Sequence, residues 1–222
     1  MAGVGRAVII ELVGPAGVGK TAVSKALADR YDARRSSIWS LPRRALLLPL
    51  LEFLPLHWRL VWAARAPVIR EMKHLVRLRA LRERLSRHAD TLPAMLVLDE
   101  GPVFVQAWLS VLGHHRLRNG RSLSWRDSAT ALWPSPLDLV VVLEADDRVL
   151  ASRIRGRPKP HGLKKRSDEA ISRFVTEFRY AFERVLAAGG QATRTLRLST
   201  TDQTSAQIAD RIWQETRGGT GG

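Results

Sequence analysis

Cysteine is absent from the 222 residues. That excludes disulfide scaffolds, thiolate metal centres and cysteine nucleophiles, and it fits a reducing compartment. Acidic residues are scarce beside basic ones: 21 Asp and Glu against 36 Lys and Arg leave a formal net charge of +15. Lysine is itself sparse, at positions 20, 25, 73, 159, 164 and 165, so arginine carries the excess. Such a charge attracts nucleotides, nucleic acid or an acidic membrane surface. A skew toward arginine also follows from genome composition, so it favours none of these partners strongly. Internal repeats are missing, and 16 Gly and 11 Pro are ordinary for a globular chain. No Ser, His and Asp stand in an order or spacing that supports a nucleophilic triad. His114 and His115 have no carboxylate or Cys at ligand spacing, so a basic loop is the better reading there than a metal site.

An uninterrupted membrane span is also missing. Residues 45–64 have about the length of one, but Glu52, His57 and Arg59 lie inside, and Pro49 and Pro55 break the helical hydrogen bonding. The expectation is a buried or interfacial helical hairpin. The opening MAGVGRAVIIELVG runs into a Gly-rich loop and not into a small-residue cleavage site, so a cytoplasmic location is expected.

What is present supports one core. A 45% hydrophobic composition over this length predicts a single domain over residues 1–217, followed by a flexible Gly-rich tail, 218–222. Apolar runs at residues 8–13, 94–98, 137–143 and 195–198 read as strands, with a further strand at 36–41. Helical spacing marks residues 21–31, 68–88, 103–112, 147–157, 167–188 and 206–216. Strands alternating with helices predict an α/β fold with a mostly parallel sheet covered on both faces. Residues 42–90 form a helical insertion.

GPAGVGKT, from Gly14 to Thr21, fits the phosphate-binding pattern G-x-x-x-x-G-K-[ST], after a strand and opening a helix. The loop of Gly14, Pro15, Ala16, Gly17, Val18 and Gly19 turns backbone N–H groups toward an anion. The helix start at Lys20, Thr21 and Ala22 adds partial positive charge. Lys20 would reach the β and γ phosphates of ATP, and the Thr21 hydroxyl would ligate Mg²⁺. Asp99, ending the apolar run MLVLD, stands where such proteins keep a carboxylate for Mg²⁺. Glu100 reads as a general base, a water-positioning group or a solvated loop acid. Arg153 and Arg157, one helical turn apart and followed by the basic stretch to Arg166, read as transition-state cations on a closing segment or as a solvated basic helix.

Taken together, Gly14–Thr21, residues 96–101 and the position of Arg153–Arg166 resemble the P-loop nucleoside and nucleotide kinases, most nearly the thymidylate-kinase and deoxynucleoside-kinase group. The resemblance implies a doubly wound P-loop NTPase fold, ATP with Mg²⁺, an arginine-bearing lid over residues 153–166, and substrate binding in the insertion. Two features depart from that group. Residues 36–41 lack the carboxylate base expected at the end of the second strand, and Asp99-Glu100-Gly101 replaces an Asp-Arg pair. Arg43 and Arg44, just beyond, are candidates to clamp an acceptor phosphate, or are an exposed basic pair. The resulting expectation is phosphoryl transfer from ATP to a small acceptor, a nucleoside monophosphate or nucleoside, with the monophosphate favoured. A nucleotide-dependent ATPase or switch with a protein partner and a nucleic-acid-end kinase are the rivals. A second copy of the chain is a further candidate partner. The tryptophans are expected in the core, with Trp58 and Trp62 the best placed to line a pocket.

Overall fold

A computed structural model describes residues 7–87, 93–115, 137–158, 162–188 and 193–218. Five strands form one fully parallel sheet in the order β2-β3-β1-β4-β5. They are β1 (Val8–Val13), β2 (Arg34–Ser36), β3 (Met95–Asp99), β4 (Leu139–Glu144) and β5 (Arg194–Ser199). The helices are α1 (Lys20–Tyr31), α2 (Leu47–Glu52), α3 (Leu54–Ala64), α4 (Ile69–Arg87), α5 (Pro102–Leu112), α6 (Asp147–Gly156), α7 (Asp168–Ala188) and α8 (Ser205–Gly218).

The three middle strands are almost continuously apolar and buried, as required of strands covered by helices on both faces. One face packs under α4, α5 and the second half of α7, where Phe178 and Phe182 are buried. The other packs under α1, α6, α8 and the first half of α7, where Ile171 and Val175 are buried. α7 begins as its sequence predicts: the Ser167 hydroxyl accepts from the Ala170 N–H at 3.3 Å, with Asp168 and Glu169 in the first turn.

Register sets the site. β1 and β3 align Leu12 with Asp99, so the chain leaves β1 into Gly14 at the same sheet edge where Asp99 emerges. This is the carboxyl end of a parallel sheet, where open α/β folds bind ligands.

The second strand is shorter and earlier than its sequence predicts: it covers Arg34–Ser36, and residues 38–40 turn into a 3₁₀ helix. The cause is local. The Ser37 hydroxyl accepts from the Trp39 N–H, and the Ser40 hydroxyl accepts from the Ser37 N–H, both at 3.1 Å, a reciprocal cap that ends strand pairing. The segment 45–64 is likewise less buried than a core hairpin. It forms two short helices meeting at a 66° bend, with most of its leucines and both tryptophans exposed. Among the described residues no single helix is long and apolar enough to cross a membrane. The expected tail lies outside the described residues apart from Gly218, the last residue of α8, and so does most of the expected basic loop after α5.

Candidate active site

The Gly14–Thr21 loop packs directly on the sheet and on α6. At Gly14, with φ of 146°, a side chain would be strained, and a Cβ would fall 2.4 Å from the Leu143 carbonyl of β4. Loop closure leaves Lys20 folded inward, its ammonium donating to the carbonyls of Gly14 at 2.7 Å and Pro15 at 3.2 Å. Burial pushes the Lys20 ammonium below its usual pKa, while Asp99 and Glu100 pull the other way. The Thr21 hydroxyl lies 3.4 Å from an Asp99 carboxylate oxygen. A hydroxyl and a carboxylate at the mouth of an anion-binding loop are the hard oxygen donors that Mg²⁺ uses beside phosphate oxygens, so these residues fit a nucleotide with Mg²⁺. No cluster of three or more metal-ligating side chains occurs among the described residues.

These groups line a cavity of about 560 Å³ together with Glu100, Arg153 and Arg157. Both arginines predicted to face the site therefore reach it. Arg153 is braced: its two terminal nitrogens donate to the Thr200 hydroxyl at 2.9 Å and the Thr200 carbonyl at 2.8 Å. The intervening Arg155 points elsewhere and pairs with Asp168.

Glu100 carries the bend between β3 and α5 in a left-handed conformation, φ 75°, a strained geometry for a non-glycine residue. Burial raises its carboxyl pKa, the Asp99 charge adds to the rise, and Lys20 and a Trp39 hydrogen bond oppose it. With Phe104 and Trp108 it forms the wall shared with a second cavity of about 310 Å³, whose other lining residues are Trp39, Arg70, Lys73 and His74. The second cavity is aromatic and cationic. His74 stacks on Trp108 at 3.8 Å between ring centroids, and Arg70 stands over the same indole at 5.1 Å. Burial lowers the His74 pKa, and its Nδ1 pairs with the Arg70 carbonyl at 2.8 Å.

Glu11 is the one charged residue of β1. It is fully buried and accepts the backbone N–H groups of Gly101 at 3.1 Å, Val103 at 3.0 Å and Phe104 at 2.9 Å. A Cβ on Gly101 would sit 2.8 Å from the Glu11 carboxyl carbon, so Glu11, Gly101 and the start of α5 are fitted to one another. The tie fixes the backbone just after Asp99 and Glu100.

Arg43 and Arg44 are not brought to either cavity. Both are exposed in a 3₁₀ turn, and Arg44 lines a different hollow with Arg34, Arg84 and Arg87. Their misplacement follows from the shortened second strand, which lets the chain turn away six residues before Pro42. Trp58 and Trp62 also lie outside the site, while Trp39 and Trp108, expected in strand and core, line it.

A model of the AAA domain matches residues 10–172, from within β1 into α7. The chain belongs to the AAA-domain family. No curated protein sequence matches this AAA-domain chain. Its fold is that of the P-loop kinases, as solved structures show. A deoxyadenosine kinase from M. mycoides, with dCMP and dCDP bound, superposes with a TM-score of 0.58 over 95% of this chain and 100% of its own, at 12% identity. The YorR protein of Bacillus subtilis, in complex with phosphorylated GDP, gives 0.53 over 95% and 96%, at 16% identity. Shikimate kinase from Acinetobacter baumannii, in complex with shikimate, gives 0.54 over 97% and 96%, at 15% identity.

Proposed function

We propose that this protein is an ATP- and Mg²⁺-dependent kinase that phosphorylates a hydroxyl of a small ring-bearing acceptor, a nucleoside or a close relative of one. The observation that carries this reading is the place of Glu100, on the wall common to the phosphate-loop cavity and the aromatic one. A side chain there meets both the donor phosphates and the acceptor. Bound ATP with Mg²⁺ would supply the transferable γ-phosphoryl group. Glu100 takes the acceptor hydroxyl's proton as that oxygen bonds to phosphorus and the bond to the ADP oxygen breaks. Its raised pKa brings it nearer to neutral pH, where a general base is most effective. Lys20, Arg153 and Arg157 meet the negative charge spread over the transferring group. Thr21 and Asp99 would hold the metal.

The fold alone admits acceptors as different as those of its solved neighbours. The walls of Trp39, Phe104 and Trp108 favour a planar ring, because stacking on an indole recovers both burial and quadrupole attraction. Arg70 and Lys73 would hold any anionic substituent. Arg43 and Arg44 lie outside this cavity, so they give no reason to favour a phosphorylated acceptor.

ADP formation is to be measured with nucleosides, their monophosphates and non-nucleoside alcohols. Turnover is expected to be fastest with a nucleoside and to fall about a hundredfold or more in Glu100→Gln and in Lys20→Ala. ADP released at full rate with no acceptor would make the protein an ATPase. Preference for a monophosphate with Glu100→Gln still active would remove Glu100 as the base.

A further inference from the structure

The strongest feature outside the catalytic cavities is the surface of α2 and α3. Leu47, Leu48, Leu50 and Leu51 of α2 are between 47% and 64% exposed; Leu54, Trp58 and Trp62 of α3 reach 42%, 62% and 80%. Trp58 and Trp62 are one helical turn apart and project together. α3 already packs Leu60 and Ala64 into the core, so it is apolar on both sides, a property of helices covered on both sides. Among the described residues its outer side stays uncovered.

The charges around this face are mainly positive. Arg43, Arg44, Arg59 and Arg65 are exposed along the segment. Glu52, its sole carboxylate, is engaged by Arg79 at 2.9 and 3.4 Å. Leu48 also borders the hollow lined by Arg34, Arg44, Arg84 and Arg87, whose one acid, Glu83, is paired with Arg87 at 3.3 Å. Apolar side chains and a cluster of guanidinium groups thus adjoin.

We propose that α2 and α3 dock this kinase-fold protein on an anionic lipid bilayer, the leucines and tryptophans entering the headgroup region and the arginine-lined hollow receiving acidic headgroups. The helical stretches Arg43–Glu52 and Leu54–Ala64 measure about 15 Å and 16 Å at 1.5 Å per residue, each about half of a hydrocarbon core of about 30 Å. With a 66° bend between them, they lie on a membrane and do not cross it. Tryptophan is the side chain that favours the headgroup level, and arginine beside it adds attraction to acidic lipid. A second copy of the chain is the less favourable occupant. A two-fold interface sets the same patch against itself, bringing the four exposed arginines toward their equivalents with no free carboxylate from either α2 or α3. This inference is independent of the acceptor's identity.

The test is flotation of the intact protein with vesicles of phosphatidylcholine alone or mixed with phosphatidylserine, across a salt series. The expected result is binding to the mixed vesicles only, weakened by salt, with quenching of tryptophan emission by lipids brominated near the headgroup. Trp58→Ser with Trp62→Ser should lower partitioning by about tenfold or more at each salt concentration, with an unchanged circular-dichroism melt. Arg44→Ala with Arg59→Ala should flatten the salt dependence. Equal binding to phosphatidylcholine, no binding to mixed vesicles at low salt, or full binding by the double tryptophan variant would each overturn the proposal. So would a concentration-dependent dimer that the tryptophan variant abolishes, since a second copy would then cover the face.

Discussion

A carboxylate in the middle strand of a sheet covered on both faces gives up its hydration, and three backbone N–H donors are what Glu11 receives in exchange. Burial outweighs them and raises the Glu11 pKa from 4.5 to about 7. The sign of the linkage follows: a folded-state pKa above the unfolded one adds stability in full below about pH 4.5, and that contribution disappears as pH rises through about 7. Its size is on the order of 3 kcal/mol, from about 1.4 kcal/mol per pKa unit. The wild-type melting midpoint is therefore expected to fall between pH 5 and pH 8, by chemical logic roughly within the window this group titrates. Glu100 shifts in the same direction, so the part owed to Glu11 is the difference from Glu11→Gln. That variant should be less stable at low pH, because its amide group turns an N–H toward an N–H, at about 1–3 kcal/mol, and its midpoint should vary less with pH. Parallel pH profiles for the two proteins would show that Glu11 does not titrate there.

Among the elements, α6 joins the phosphate loop to the far edge of the sheet. Gly17 of the loop sits so close to α6 that a Cβ would lie 3.1 Å from the Leu150 carbonyl, and from the next turn Arg153 reaches to Thr200, just past β5. A guanidinium that uses two nitrogens on Thr200 is oriented before any ligand arrives, and a lysine ammonium cannot reproduce that fork. Arg153→Lys is expected to lower kcat about tenfold or more with little change in the KM for ATP, because the charge it meets grows in the transition state. Thr200→Val, which keeps the carbonyl and loses the hydroxyl, should give a smaller fall in the same quantity. Full activity in Arg153→Lys would show that the fork is structural only. The reach of Arg153 and Arg157 into one cavity was legible from helical spacing, and so were the phosphate loop and the Asp99 strand, because each is set by local pattern. Trp39, Arg70, Lys73, His74 and Trp108 were not. They come from three separate segments, and only the packing of α4 against α5 and the turn after β2 brings them together. The early end of β2 was hidden for a related reason: two serine hydroxyls, Ser37 and Ser40, outweighed an apolar pair, Ile38 and Trp39, that reads equally well as strand.

At the scale of the whole molecule, the sheet divides the core into two layers, and the site draws on both. Gly14 packs on β4 and Gly17 on α6, on the side held by Leu150 and Ile154. Glu100 precedes α5, whose Val105 and Trp108 belong to the opposite layer. A nucleotide gripped by Lys20, Arg153 and the Asp99–Glu100 bend would connect the two layers through a single ligand. The surface ion pairs, such as Arg30 with Asp210 and Arg197 with Glu183, contribute little to this coupling, since exposed pairs are worth about 0–1 kcal/mol. Binding to the native state alone stabilises by about 2.7 kcal/mol at a ligand concentration 100 times Kd. For a domain of this size each kcal/mol moves the midpoint by about 2–4 °C, so the expected rise is about 5–10 °C. A non-hydrolysable ATP analogue with Mg²⁺ should produce that rise in a single, still cooperative calorimetric transition, and Lys20→Ala should reduce it. An unmoved midpoint would show that the loop does not bind the nucleotide. A melt that splits into two transitions, with only one shifted, would show that the ligand is held by one layer and that the two sides of the sheet unfold separately.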